Sequence, residues 1–344
     1  MKLHLCIPDL FWPENLQTDI YQSLKLPALE MLFAKGHLVE GAGQTTESWL
    51  CKLFDIHKQH DWPVASITLL REQGNIECNR EDYWLRVDPV HLRIENNHLL
   101  LGDSYILNIS LKEAISFTDS INELISDNGL VLLPLHSDRW YLRCNGTPDL
   151  RTFLLSEVVG KNINDLLPLG DDRSIWNSRV NEIQMLLHDH PLNQTRESQG
   201  ELVVNSVWLW GGGVMPEKIY APYTKIWSNH VFAQALARAG DIAFCNLPEN
   251  GNELLRHADN LGEQLVFLDN LQKYANYKDA FNWSNELARI EQNWFAPLLQ
   301  ALKRKQIIQL KITTVNNCST KDFTLTPSSL WKFWATVRPV KSYG

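Results

Sequence analysis

The chain has 344 residues, 44% of them hydrophobic and 21% charged, as in an ordinary globular protein. Its net charge of −8, with no basic run, argues against nucleic acid as a partner, and no apolar stretch approaches the ~20 residues of a membrane helix, so a membrane is not expected either. Six cysteines are scattered without a Cys-x-x-Cys, which fits a cytoplasmic protein with reduced thiols; the length predicts about two domains, or one core with a large insertion.

Residues 2–8 alternate, with Leu3, Leu5 and Ile7 apolar, and predict a buried first strand rather than a signal peptide. Asp9 falls just past its carboxyl end, where ligand and metal sites of open α/β sheets gather; a turn or cap Asp is the plainer alternative. Pro27 to Gly36 has the Pro-first, Gly-last pattern of a helix. In GAGQTTESWLCKLFDI (41–56), Thr45 or Thr46 opens a helix with Glu47 and Ser48 in its first turn, the pattern of an N-cap. A threonine hydroxyl there is a nucleophile only with an activating base or metal.

From about Cys78 to Leu155 the pattern changes to short β-rich runs, with Asn96-Asn97 as a turn. Ser110–Asp127 predicts an amphipathic helix with a capping box, Ser110 to Glu113. LVLLPL and RWYLRC predict strands. The β–β–α–β–β block reads as an α+β domain, residues 77–155, inserted into a core made of 1–76 and 156–344. Its Arg86, Arg93, Arg139 and Arg143 are candidates to hold an anion, with ion pairing to nearby Asp and Glu as the alternative. His91 reads as a polar surface residue.

The most informative stretch is NEIQMLLHDHPLNQTRESQGELVVNSVWLWGGG (181–213). An apolar helical face at Ile183, Met185, Leu186 and Leu187 stops before Pro191. A polar loop over 190–196 follows, then a β-branched strand from Leu202 to Leu209, with Trp208 and Trp210 sharing a face. Gly211, Gly212 and Gly213 predict a sharp turn at its end. Free backbone N–H groups there, beside Arg196, Asn193, Asn205 and His190, would suit a phosphate or carboxylate; a tight turn with buried Trp packing is the alternative. There is no Walker loop and no G-x-G-x-x-G, so nucleotide binding is not supported. Beyond this stretch, 229–241 and 281–305 predict helices, EQLVFLDNL a buried strand, and IIQLKITTV and DFTLTP closing strands. The aromatic LWKFW (330–334) is expected to dock on the core.

The run H-P-L-N-x-x-R-x-x-x-G-x-x-x-x-N-S-V-W-L-W-G-G-G (190–213) resembles the motif of archaeal-type cofactor-independent phosphoglycerate mutases, of the alkaline phosphatase superfamily. It resembles still more closely a related proteobacterial group, the regulatory protein E type of the pathogenicity-factor cluster. The resemblance implies an α/β, alkaline-phosphatase-like sandwich with an inserted α+β lid. It sets Asp9 at the position of a metal ligand, with Leu10 where the family has Gly, and Thr45 at that of the Ser nucleophile, with Thr46 as the match if the offset is one. The family's chemistry needs two divalent metals, held also by a later Asp-x-x-Gly-His type motif and a late Asp-His pair. Here no His follows His257; Asp269 alone stands in the first region, and Thr314, Val315 and Asn316 replace the pair.

The metal parts are thus lost while candidate anion-binding parts persist. The resulting expectation is a non-catalytic regulatory or ligand-binding relative with no cofactor. It would hold a small phosphorylated or carboxylated metabolite through Arg86, Arg139, His190, Asn193, Arg196, Asn205, Trp210 and the Gly211–Gly213 turn. Asp9 would be a vestigial metal ligand. One alternative is an active mutase or phosphohydrolase with Mn, Zn or Mg on a rebuilt set of Asp9, Thr45, His188, His190 and Asp269. Another is a protein-interaction module using its 13 tryptophans, Trp208, Trp210, Trp331 and Trp334 among them.

Overall fold

A computed structural model of the chain describes residues 1–13, 18–72, 74, 79–126, 129–258 and 262–344. The chain divides into two units, one discontinuous (Met1–Phe54 and Tyr220–Gly344) and one continuous (Asp55–Ile219).

The discontinuous unit begins with β1 (Lys2–Cys6), α1 (Pro27–Lys35), β2 (His37–Ala42) and α2 (Thr46–Leu53). The continuous unit follows: α3 (Val64–Glu72), β3 (Tyr83–Glu95), β4 (His98–Gly102), α4 (Ser104–Leu107), α5 (Leu111–Ile125), β5 (Val131–Pro134), β6 (Trp140–Cys144), α6 (Leu155–Val158), α7 (Arg173–His188), α8 (Pro191–Ser198) and β7 (Ser206–Gly213). The first unit then resumes with β8 (Lys225–Ser228), α9 (Val231–Ala239), β9 (Ala243–Cys245), α10 (Gly251–His257), β10 (Glu263–Phe267), α11 (Gln272–Asn276), α12 (Ala280–Ile290), a π-helical turn Glu291–Phe295, α13 (Ala296–Lys303), β11 (Gln309–Val315) and β12 (Ser319–Leu325).

The discontinuous unit holds a seven-stranded sheet in the order β2-β12-β11-β1-β10-β8-β9. β1 lies parallel between β10 and β11, while β12 and β2 close one edge antiparallel. Strand alternation sorts the first strand: Leu3 and Leu5 enter a core with Leu29, Phe33, Trp283, Leu287 and Leu298. His4 falls on the opposite face, edge-on to Trp49 of α2 with ring centres 5.7 Å apart. The chain leaves this unit after Phe54 and returns at Tyr220, whose N–H donates to the Phe54 carbonyl at 3.0 Å.

The continuous unit is built on the long strand β3. Its first half pairs antiparallel with β6 and β7, its second half with β4. α5 and α7 supply the cover, burying Phe117, Ile121, Trp176, Ile183 and Leu187 against Leu85, Val207 and Leu209. The predicted capping box at Ser110 and Glu113 is present.

Three expectations are corrected. The insertion runs from 55 to 219, not 77 to 155, because β7 pairs with β3 along Val90 to Trp84 and α7 and α8 pack with it. The polar loop over 190–196 is helix α8: Pro191 ends one helix and, at the first position of the next, starts another. The 330–334 end packs on the core through Leu330, but its aromatic rings do not. Trp331, Phe333 and Trp334 are 80%, 90% and 69% exposed. Among the described residues no helix is long and apolar enough to cross a membrane.

Candidate functional site

In the discontinuous unit, the positions to which the resemblance assigns metal chemistry lie at and beyond the carboxyl ends of the parallel strands. The backbone continues the sheet past β1: Ile7 N–H donates to the Thr313 carbonyl at 2.9 Å and Asp9 N–H to that of Val315 at 3.1 Å. Asp9 takes a left-handed conformation (φ 53°), which Asp tolerates better than most residues, and its carbonyl accepts from Trp283 Nε1 at 3.0 Å. Thr45 is the N-cap of α2; its Oγ1 accepts from Ser48 N–H at 3.1 Å. Thr46 Oγ1 accepts from Gln272 Nε2 at 3.0 Å, which joins α2 to the segment just after Asp269.

Where the family needs its late Asp-His pair, Thr314 Oγ1 accepts from Leu10 N–H at 3.3 Å. Asn316 Oδ1 accepts from the N–H groups of Cys318 and Ser319, at 2.9 and 2.8 Å. These are the hydrogen bonds of a cap, a strand end and a hairpin turn. Each metal of a dinuclear site needs several carboxylate or imidazole donors converging on it. Among the described residues, no group of three or more His, Cys, Asp and Glu side chains converges in that way.

In the continuous unit, the residues expected to hold an anion already have partners. Arg86 is buried, with Nε and Nη2 on the two oxygens of Asp88 at 3.0 and 2.7 Å. Its guanidinium lies over the rings of Tyr141 and Trp210, 5.1 and 4.9 Å from their centres. Asp88 also accepts from Trp210 Nε1 at 2.7 Å and from Trp140 N–H at 3.1 Å. Burial pushes the Asp88 carboxyl up to about 6, against the opposing pull of Arg86 and the Trp210 N–H. Arg139 is held by Glu72 at 2.7 Å and Asp138 at 3.0 Å, and Tyr141 Oη donates to the other Glu72 oxygen at 2.6 Å.

The motif over 190–213 works in the same way. His190 caps α8: its Nδ1 accepts from Leu192 N–H at 3.2 Å. That fixes the proton on Nε2, which donates to Ser120 Oγ at 3.2 Å. Burial holds this imidazole below its ordinary range. Asn193 donates to the carbonyls of Leu187 and Val204, both at 2.7 Å, and accepts from Val204 N–H at 3.0 Å. Arg196 reaches the Leu202 carbonyl at 2.7 Å, Glu113 at 2.6 Å and the Leu107 carbonyl. Asn205 forms a two-way pair with the Leu92 N–H and carbonyl, 2.7 Å each, in the manner of one more strand residue. His, Asn, Arg and Asn thus staple α7, α8, α5 and β3 around β7.

Gly211, Gly212 and Gly213 are the last residues of β7 rather than a turn after it. Gly211 has φ +65°, beside an irregularity in the β3 pairing. A Cβ on Gly212 would lie 2.4 Å from Tyr83 Oη, and one on Gly213 would lie 2.8 Å from Pro63 Cβ. The glycines admit close packing, which is the tight-turn alternative's reasoning applied to a strand. Arg86, Arg139, Asn193, Arg196 and Asn205, the side chains expected to hold an anion, make hydrogen bonds inside the protein. Trp208 and Trp210 are buried, which removes them from any interaction surface. His188, proposed with His190 for a rebuilt metal set, is exposed at the end of α7.

Sequence reasoning missed Asp88 and Glu72, the two carboxylates on which the arginines rest. Asp88 was legible: Arg86 and Asp88 are two apart on a strand, so they share a face with opposite charges.

No family model matches the chain. It is 23% identical over 203 residues to the 2,3-bisphosphoglycerate-independent phosphoglycerate mutase of Methanosarcina mazei, a match covering 58% of this chain and 51% of that protein. It is 26% identical over 145 residues to the probable mutase of the same type from Geobacter sulfurreducens, covering 41% and 36%. The chain thus spans about half the length, or less, of the curated relatives it matches. Among solved structures it resembles the PH0037 protein from Pyrococcus horikoshii, at a TM-score of 0.55 and 12% identity over 94% of this chain and 87% of the other. The α/β architecture is shared with that solved structure, and the chain is similar, over about half its length, to curated cofactor-independent phosphoglycerate mutases.

Proposed function

We propose that this protein is a catalytically silent relative of the cofactor-independent phosphoglycerate mutases, acting by binding and regulation rather than by metal-dependent phosphoryl transfer. The observation that supports this is the state of the strand-end positions. Asp9, Thr45, Asp269, Thr314 and Asn316 stand where the family's metal and nucleophile positions fall. Thr45, Thr314 and Asn316 serve there as a cap, a strand-end acceptor and a turn acceptor. A threonine that spends its oxygen on an N-cap, with no converging imidazole or carboxylate set among the described residues, lacks the activation a nucleophile needs.

The test is a Mn²⁺ titration of chelator-treated protein, with interconversion of 2- and 3-phosphoglycerate followed in the same cell. The expected result is no stoichiometric pair of metals and no turnover. Two Mn²⁺ per chain with turnover would overturn the proposal and establish a rebuilt site.

A further inference from the structure

A cavity of about 350 Å³ lies wholly within the continuous unit, between α7 and the β4–β3–β7 side of its sheet. Leu92, Val207 and Leu209 line its sheet side, and Leu99, Leu167 and Pro168 line it from β4 and the segment before α7. Its volume falls at the low end of the ~300–1,000 Å³ typical of small-molecule sites. Two features of its chemistry limit what it can take.

The first is charge. Among the described residues, no Asp, Glu, Lys, Arg or His lines the cavity. A phosphate or carboxylate entering it would lose hydration with no cation to replace it, at a loss of several kcal/mol. The cavity of about 360 Å³ near Asn145 is different, since Asp172 and Arg179 line it.

The second is a row of amides. Asn177, Asn181 and Gln184 line the cavity from α7 at i, i+4 and i+7, which is one face of a helix. Gln184 is held by a hydrogen bond from its Nε2 to Ser206 Oγ at 2.9 Å. Asn177 and Asn181 have no such side-chain partner among the described residues, so each keeps a donor and an acceptor for something else. Asn177 and Gln184 are half-buried and Asn181 is exposed. The indole of Trp208, also in the lining, is fixed by donation from Nε1 to the Phe153 carbonyl at 2.9 Å.

We infer that this cavity binds an uncharged small molecule, largely apolar and about the size of a substituted bicyclic aromatic, with one amide- or hydroxyl-bearing edge set against Asn177 and Asn181. The inference deepens the binding role proposed above by naming a ligand class, and it stands on a different unit of the protein. Metal-dependent turnover would sink the earlier proposal and leave this one intact.

The experiment is a fluorescence titration of the whole chain with N-phenyl-1-naphthylamine, a neutral aromatic amine whose emission rises in apolar surroundings. Saturable binding at one site per chain is expected. Val180→Phe, on the α7 wall, fills the cavity from within, and Leu167→Trp, at a half-exposed position, fills it from the covering segment. Each should weaken binding more than tenfold while the thermal melt stays cooperative. Leu167→Trp carries the test if Val180→Phe does not fold. Binding that does not saturate, or is unchanged in the folded variants, would overturn the inference. Displacement of the probe by 3-phosphoglycerate would overturn the assignment to uncharged ligands.

Discussion

At the scale of single residues, the polar groups of this protein are placed as structural joints. Arg86 shows the consequence most sharply. It lies buried between two aromatic rings, with Asp88 as its ion-pair partner. Removing one partner of a buried pair leaves an uncompensated charge, which costs about 3–5 kcal/mol. Arg86→Met keeps much of the stem and removes the charge, so urea unfolding at pH 7 should show a loss of that size. Asp88→Asn in the same chain should recover part of it. A loss below about 1 kcal/mol would place the pair with weak surface pairs instead. His4 makes a pH-dependent prediction. Its ring lies between Tyr223 Oη at 2.6 Å and Thr313 Oγ1 at 2.7 Å. Burial first, and Lys311 second, hold it well below the ordinary value of 6.5. Between its folded and unfolded pKa values the unfolded chain therefore binds the proton and the folded one does not. The His4 contribution to stability is full above pH 6.5 and is lost as pH falls below it, by up to about 1.4 kcal/mol per pH unit for one proton. His190, also held low, adds to the same slope. His4→Gln should flatten the dependence between pH 6.5 and 5.5 without abolishing it. An unchanged slope would show that His4 is not the group responsible.

At the scale of elements, the local signals were the legible ones. The capping box at Ser110, the helix at Pro27 and the alternation of the first strand all depend on neighbours a few residues apart, and each is found in the structure. The glycine run by itself predicts a turn, because glycine most often relaxes local backbone limits. Here the requirement comes from Tyr83, Leu85 and Pro63, more than 120 positions earlier, which leave no room for a Cβ. A local pattern cannot carry that information. Gly212→Ala should thus act as overpacking, at about 1–3 kcal/mol of stability, with Tyr83 displaced. Chemical denaturation gives the loss, and Tyr83→Phe combined with Gly212→Ala should relieve part of it by removing the hydroxyl 2.4 Å away. Equal losses with and without that hydroxyl would mean that Leu85, at 2.8 Å, sets the limit instead. The candidate site was half legible for the same reason. The types of residue in the 190–213 motif invited an anion, but their hydrogen-bond partners at Leu92, Leu107 and Glu113 are distant in the chain.

At the scale of the whole molecule, the boundary of the insertion is the feature least visible in sequence and the most directly testable. The change in composition near Cys78 is genuine, since β3 begins soon after, at Tyr83. The unit nevertheless starts at Asp55 and closes only with β7, because β3 has partners on both of its sides. A fragment of residues 77–155 would lose α3, α7, α8 and β7. With them go Trp176, Ile183, Leu187, Val204, Val207 and Leu209 from the buried core, and β3 would keep an unpaired apolar edge along 84–90. Edges of that kind associate rather than fold. Residues 55–219 retain the complete sheet, both covering helices and the hydrogen bonds of the motif. The prediction is that 55–219, expressed alone, gives dispersed amide resonances and one cooperative melt, while 77–155 gives neither. A folded 77–155 would restore the shorter insertion and make the 190–213 staple dispensable. A disordered 55–219 would mean that this unit needs the rest of the chain to hold its fold.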